Sequence, residues 1–190
     1  NKPAGTVQND VMVASIGFRT NQPGLSTDVG ITPPAGWTPV RRFDNPGPSD
    51  NGLAVYRLVA GASEPASYTW TFSCTATCAT NGFQAAAGGI VSFSGVDTTT
   101  PIDAENGRNT VALGQTTPSD VITTVTNAML VASHSYATAG PWSPLPGGMN
   151  EAVDVLSGNL STEINWLLQA AAGPVAQYQA TPTPDDDAGI

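Results

Sequence analysis

Asn9-Asp-Val-Met-Val-Ala-Ser-Ile-Gly-Phe18 is answered, 118 residues further on, by Asn127-Ala-Met-Leu-Val-Ala-Ser-His-Ser-Tyr136. Each run is apolar, contains β-branched residues and opens on an asparagine, so each reads as a strand entered from a turn. Working outward, Thr32-Pro-Pro-Ala-Gly-Trp37 returns loosely as Ser143-Pro-Leu-Pro-Gly-Gly-Met149. Tyr56-Arg-Leu-Val-Ala-Gly-Ala62 returns as Trp166-Leu-Leu-Gln-Ala-Ala-Ala172. The offset drifts from 118 to 112 to 110, as it does when only loop lengths differ. That period is too long for a solenoid, whose units run about 20 to 50 residues. It suits an internal pseudo-duplication: one domain over residues 1–190, made of two related halves at about 1–107 and 108–190. Gly89-Ile90 matches Gly189-Ile190, and the first copy continues with Val91-Ser-Phe-Ser-Gly95. The pattern therefore predicts a further strand that would follow Ile190.

The composition is that of a folded chain with an unusually bland surface. Charged residues make up 11% of it, against about 25% in an average soluble domain. Apolar residues reach 40% and fall in periodic runs, which excludes a disordered composition. A net charge of −9 supplies no basic footprint for nucleic acid or for an anionic membrane surface. No apolar run reaches the ~18 residues that span a bilayer as a helix.

Sixteen prolines and twenty glycines interrupt the chain, so long helices are not expected. Tyr68-Thr-Trp-Thr-Phe72 alternates cleanly, with Tyr68, Trp70 and Phe72 on one face. Strands are expected at about 9–18, 37–43, 53–60, 67–73 and 85–95. In the second copy they are expected at about 120–126, 128–136, 149–156, 163–170 and 175–181. Many short strands between Pro- and Gly-rich turns read as an all-β fold, an antiparallel β-sandwich of jelly-roll or Greek-key type.

Three readings compete for Cys74 and Cys78, in Cys-Thr-Ala-Thr-Cys. A metal site wants further Cys or His ligands, and His134 is the one histidine. A redox pair usually has two intervening residues rather than three. A disulfide across a tight turn fits best, and it favours an oxidising, extracellular setting. His134 stands where the first copy has Ile16, so it reads as packing. Asp103 and Glu105 can share a strand face and are candidates for ligand contact or for paired carboxylates. No cofactor is expected; Asp44, Asp50 and Asn51 read first as turn chemistry but offer clustered hard oxygens that could hold calcium, and Asp185–Asp187 offer a second acidic cluster. Trp142 lies in a loop without an aromatic counterpart and is expected to be exposed, as a platform for a sugar face. Trp37, Trp70 and Trp166 read as core.

Pro33-Pro-Ala-Gly-Trp-Thr-Pro-Val-Arg-Arg42, Ala60-Gly-Ala-Ser-Glu-Pro-Ala-Ser-Tyr-Thr-Trp-Thr-Phe-Ser73 and Gly89-Ile-Val-Ser-Phe-Ser-Gly-Val-Asp-Thr-Thr-Thr-Pro-Ile-Asp103 occur in that order. Together they resemble a β-sandwich module that recurs in bacterial secreted and surface proteins and in phage tail or fibre proteins. The resemblance covers nearly the whole chain, which looks trimmed at both ends relative to the pattern. It implies an extracellular, non-catalytic module and carries over no catalytic residue. Two functions follow as expectations. One is adhesion or carbohydrate binding, with a glycan or cell-surface polysaccharide as partner. The other is a structural subunit of a filament or phage particle, completed by strand exchange with neighbouring copies. A polysaccharide hydrolase is a distant third. Neither nucleic-acid binding nor membrane insertion is expected.

Overall fold

The computed structural model describes residues 1–45, 50–75, 78, 82–107, 121–142, 147–176, 178, 180 and 188–189. The chain is all-β. The first sheet contains β1 (Val11–Thr20), β3 (Thr38–Asn45), β4 (Asn51–Val59) and β6 (Phe83–Phe93), in the order β3-β4-β1-β6. The second contains β8 (Ala128–Tyr136), β9 (Asn150–Ser157), β10 (Leu160–Gln169) and β12 (Ala188–Gly189), in the order β12-β8-β10-β9. Two small ribbons complete the set. β2 (Val29–Thr32) pairs with β5 (Thr71–Cys74), and β7 (Ile122–Thr123) pairs with β11 (Gly173–Pro174). Every pairing is antiparallel and neither large sheet closes on itself.

β1 is buried on both faces because layers cover it on both sides. Its even residues Met12, Ala14 and Ile16 meet Trp37, Ala54 and Tyr56, with Tyr68, Trp70 and Phe72 laid over them. The Trp37 ring stands edge-on to Tyr68 and Trp70 at 5.1 and 5.2 Å, a geometry that adds to the area these rings bury. The odd residue Val13 turns the other way, toward the second sheet. There it meets Val91 and Ile164, flanked by Val55, Val131 and Val153. This inter-sheet layer is mostly aliphatic and also takes in Phe93, and each fully buried member contributes about 1.5–3 kcal/mol.

At one end of the layer the sheets come too close for ordinary side chains. A Cβ on Gly17 would collide with Thr162 and Ser135, and one on Gly89 would collide with Val153. Polar cross-links sit there instead. Ser15 Oγ and Ser133 Oγ are hydrogen-bonded at 2.6 Å. Arg19 Nη1 donates to the Ala137 and Asn159 carbonyls, and Asn51 Nδ2 donates to the Ser135 carbonyl. β6 lies over β9 and β10, while β12 lies over β3 and β4.

The strands expected around 9–18, 37–43, 53–60, 85–95, 128–136, 149–156 and 163–170 all form, with shifted ends. The stretch 67–73 is corrected. Only Thr71–Cys74 is a strand, although Tyr68, Trp70 and Phe72 do share one core. The stretch 120–126 is also corrected, forming a strand only at Ile122–Thr123, with position 120 outside the described residues; of 175–181, positions 175, 176 and 178 are not in a strand, and 177, 179 and 181 lie outside the described residues, as do Asp185–Asp187. One register also differs from the sequence match. Tyr56 stands opposite Ala14, but Asn165, not Trp166, stands opposite Ala132. Trp166 is thereby turned toward Phe93, 6.4 Å away between ring centres.

Candidate functional site

The densest polar constellation lies on the outer face of the second sheet. Alternation along β10 places Ser161, Glu163 and Asn165 on one face and Thr162, Ile164 and Trp166 on the other. The ladders set His134 of β8 and Asp154 of β9 directly beside Glu163, forming one row across three strands. Trp142 covers this row. Its ring lies 5.6 Å from His134 and 5.8 Å from Tyr136, and its backbone N–H donates to Asp154 Oδ2 at 3.4 Å. Tyr136, Trp142 and Ala180 form a small buried cluster over the sheet.

His134, Glu163 and Asn165 are all wholly buried. Neither carboxyl oxygen of Glu163 meets a donor at hydrogen-bonding geometry. Burial pushes Glu163 up to about 7; the nearby Asn165 amide opposes this, and the Asp154 and Glu151 carboxylates add to it. Burial alone pulls His134 down to about 4. Below about 7, Glu163 is therefore a carboxylic acid beside a neutral imidazole. Both groups have the chemistry of a general acid and base, but the cover seals them from solvent and from any substrate.

The residues singled out in the sequence are dispersed. Trp142 is corrected: it is 4% exposed and packs as core, because the segment carrying it folds back over β8. Asp103 and Glu105 do not act together. Asp103 accepts from the Thr124 backbone N–H at 2.7 Å and from its hydroxyl, while Glu105 forms a bidentate ion pair with Arg41. The candidate calcium ligands have protein partners. Asp44 takes the Arg42 guanidinium at 2.7 Å. Asp50, almost fully buried, accepts from the Thr20 hydroxyl and from Leu25 N–H at 2.9 Å. Asn51 accepts from Asn45 at 3.3 Å and reaches across to the second sheet. Among the described residues, no three His, Cys, Asp or Glu side chains converge on a metal position.

Cys74 and Cys78 form a disulfide with 5.2 Å between their Cα atoms. It fits an oxidising compartment. Beside it lies a cavity of about 360 Å³, lined by Phe72, Ser73, Cys74, Cys78, Gly82 and Phe83. None of its lining groups titrates, since both cysteines are bonded. Among the described residues, no helix is long and apolar enough to cross a membrane.

The buried row escaped the sequence reading because Ser161, Glu163 and Asn165 look like a solvent-facing strand edge. The one usable signal was their alternation with Leu160, Thr162 and Ile164, which marks a face without saying what covers it. Comparison with family models, with curated proteins and with solved structures finds no match for this chain.

Proposed function

We propose that the chain is a non-catalytic β-sandwich unit of an extracellular assembly, built from two duplicated halves, whose second sheet takes a further strand from a neighbouring copy. The carrying observation is an asymmetry between two central strands. β1 pairs with β6 along its whole length, from Val11 to Thr20. β8 pairs with β10 from Ala128 to Tyr136, but on its other side only Ser135 and Tyr136 are paired among the described residues. A β8 edge without a partner strand would present unpaired N–H and C=O groups, a template for another strand.

The duplicated-halves reading has its own support. The order β3-β4-β1-β6 repeats as β9-β10-β8-β12. Ser15 with Ser133, and Arg19 with Ala137, are each separated by 118 residues and are in direct contact. Asn9 and Asn127, the residues that open the two copies, both take a left-handed backbone, with φ of 72° and 58°. Under this reading β12 is the start of the counterpart of β6. The resemblance to secreted and phage surface modules, together with the disulfide, favours an extracellular setting. The glycan reading loses its aromatic platform with the burial of Trp142.

The test is the intact mass of the natural protein combined with its size in solution. Particles much larger than one chain, built from chains of uniform mass, are expected. A protein that stays monomeric at every concentration would overturn the reading.

A further inference from the structure

The segment that follows β6 carries a reactive dipeptide. The sequence contains three Asn-Gly pairs: Asn51-Gly52, Asn81-Gly82 and Asn106-Gly107. Asn81 lies outside the described residues, and the other two pairs sit in opposite surroundings. An asparagine carboxamide is open to attack by the backbone nitrogen of the residue after it. Glycine, with no Cβ to screen that nitrogen, permits the closest approach. Whether a given pair reacts therefore depends on where the fold puts the nitrogen, the carboxamide and water.

Asn106 is exposed and lies outside any strand, and Gly107 is half-buried. The Gly107 N–H donates to Asn106 Oδ1 at 2.9 Å, so the nitrogen already stands beside the carboxamide whose carbon it must reach. Contacts on both sides hold the pair in place against β3. Glu105 forms its bidentate ion pair with Arg41, and Gly107 lies so close to the Phe43 ring that a Cβ would collide with it. Asn51-Gly52 is the reverse case. Asn51 is fully buried, and its side chain meets Asn45 and the Ser135 carbonyl. Gly52 is paired on both sides, with Phe18 of β1 and with Asp44 of β3. Ring closure there requires β4 to leave its sheet.

We propose that Asn106-Gly107 is a self-modification site, at which the chain deamidates without an enzyme and with water as co-reactant. The Gly107 nitrogen gives up its proton and bonds to Asn106 Cγ. The Cγ–Nδ2 bond breaks, and the amide group leaves as ammonia with that proton. The cyclic imide then takes up one water and opens at either of its carbonyls. One opening gives aspartate. The other gives isoaspartate, whose backbone runs through the former side chain and is longer by one carbon. Both products place a new carboxylate next to Glu105. The isoaspartyl form also lengthens the path between the contacts at Arg41 and Phe43, so modification acts on the docking of this segment against β3.

The experiment is peptide mass spectrometry of the full folded chain, held in mildly alkaline buffer and sampled over weeks, with the same chain in urea alongside. Isoaspartyl methyltransferase with a labelled methyl donor counts the isoaspartate. In the folded chain the Asn106 peptide should gain about 1 Da and contain isoaspartate. It should react at least about tenfold faster than the Asn51 peptide, whose reaction waits on local opening of β4. In urea the two rates should converge. An Asn106 that stays intact in the fold while it reacts in urea would overturn the proposal. Equal rates at Asn51 and Asn106 in the folded chain would do the same. So would aspartate without isoaspartate, which marks direct hydrolysis with no cyclic intermediate.

Discussion

Ser15 Oγ and Ser133 Oγ meet at 2.6 Å between the central strands of the two sheets. Ser15 is fully buried, so removing either hydroxyl strands the other without a partner at a dry interface. Ser15→Ala and Ser133→Ala should each cost about 1–3 kcal/mol. The double variant should cost less than the sum, because the second change removes the stranded group. Urea unfolding of the four proteins measures this, and additive losses would mean that the contact is not a coupled pair.

The close approach beside that contact makes a steric prediction. Gly17→Ala forces a methyl onto Thr162 and Ser135, and Gly89→Ala forces one onto Val153. Each should destabilise by about 1–3 kcal/mol through separation of the sheets. A control at Gly147, where an added Cβ meets nothing within 4 Å, should stay within about 0.5 kcal/mol. Equal effects at all three sites would contradict the packing described.

Trp142→Ala distinguishes core from contact surface. Buried against His134 and Tyr136, it should cost about 3–5 kcal/mol, read as a lowered thermal midpoint. Trp142→Phe should recover part of the loss. An unchanged midpoint would return Trp142 to the surface and restore the glycan reading.

The disulfide closes a short loop, so on the chain-entropy account its removal costs only about 2 kcal/mol. Cys74→Ser with Cys78→Ser should fold, with increased exchange confined to the β2–β5 ribbon that ends at Cys74. Complete loss of folding would show that the ribbon nucleates the first sheet rather than covering it.

The parts of the fold that were legible in the sequence share a physical cause. β1 is buried along most of its length, and β8 is half-buried up to Ser133 and buried from His134 to Tyr136, so their apolar runs stand out whatever packs on them. Tyr68, Trp70 and Phe72 declared a common face, but the backbone from 67 to 70 is not in a strand. Side-chain alternation reports burial and not a hydrogen-bonded partner. β2, with only Val29-Gly-Ile-Thr32, is too short and too ordinary to be read without β5 beside it. The Tyr56–Trp166 match slipped by one residue because both segments are apolar on adjacent positions, and only the ladder fixes which residue faces inward. Trp142 was expected to be exposed, and Glu163 was not singled out. Each looks exposed alone, and each is buried by the other's element through contacts that local sequence does not encode.

Under the proposed strand exchange, β8 takes its partner on the side away from β10 from another chain. Alternate amides of an antiparallel strand point toward each neighbour. In the isolated chain, the amides of residues 128–133 that point away from β10 should exchange freely by NMR, while their counterparts on β1 stay protected. In the assembled protein the same β8 amides should become protected. Full protection of that edge in the isolated chain would contradict the account, because the strand would already have a partner within its own fold.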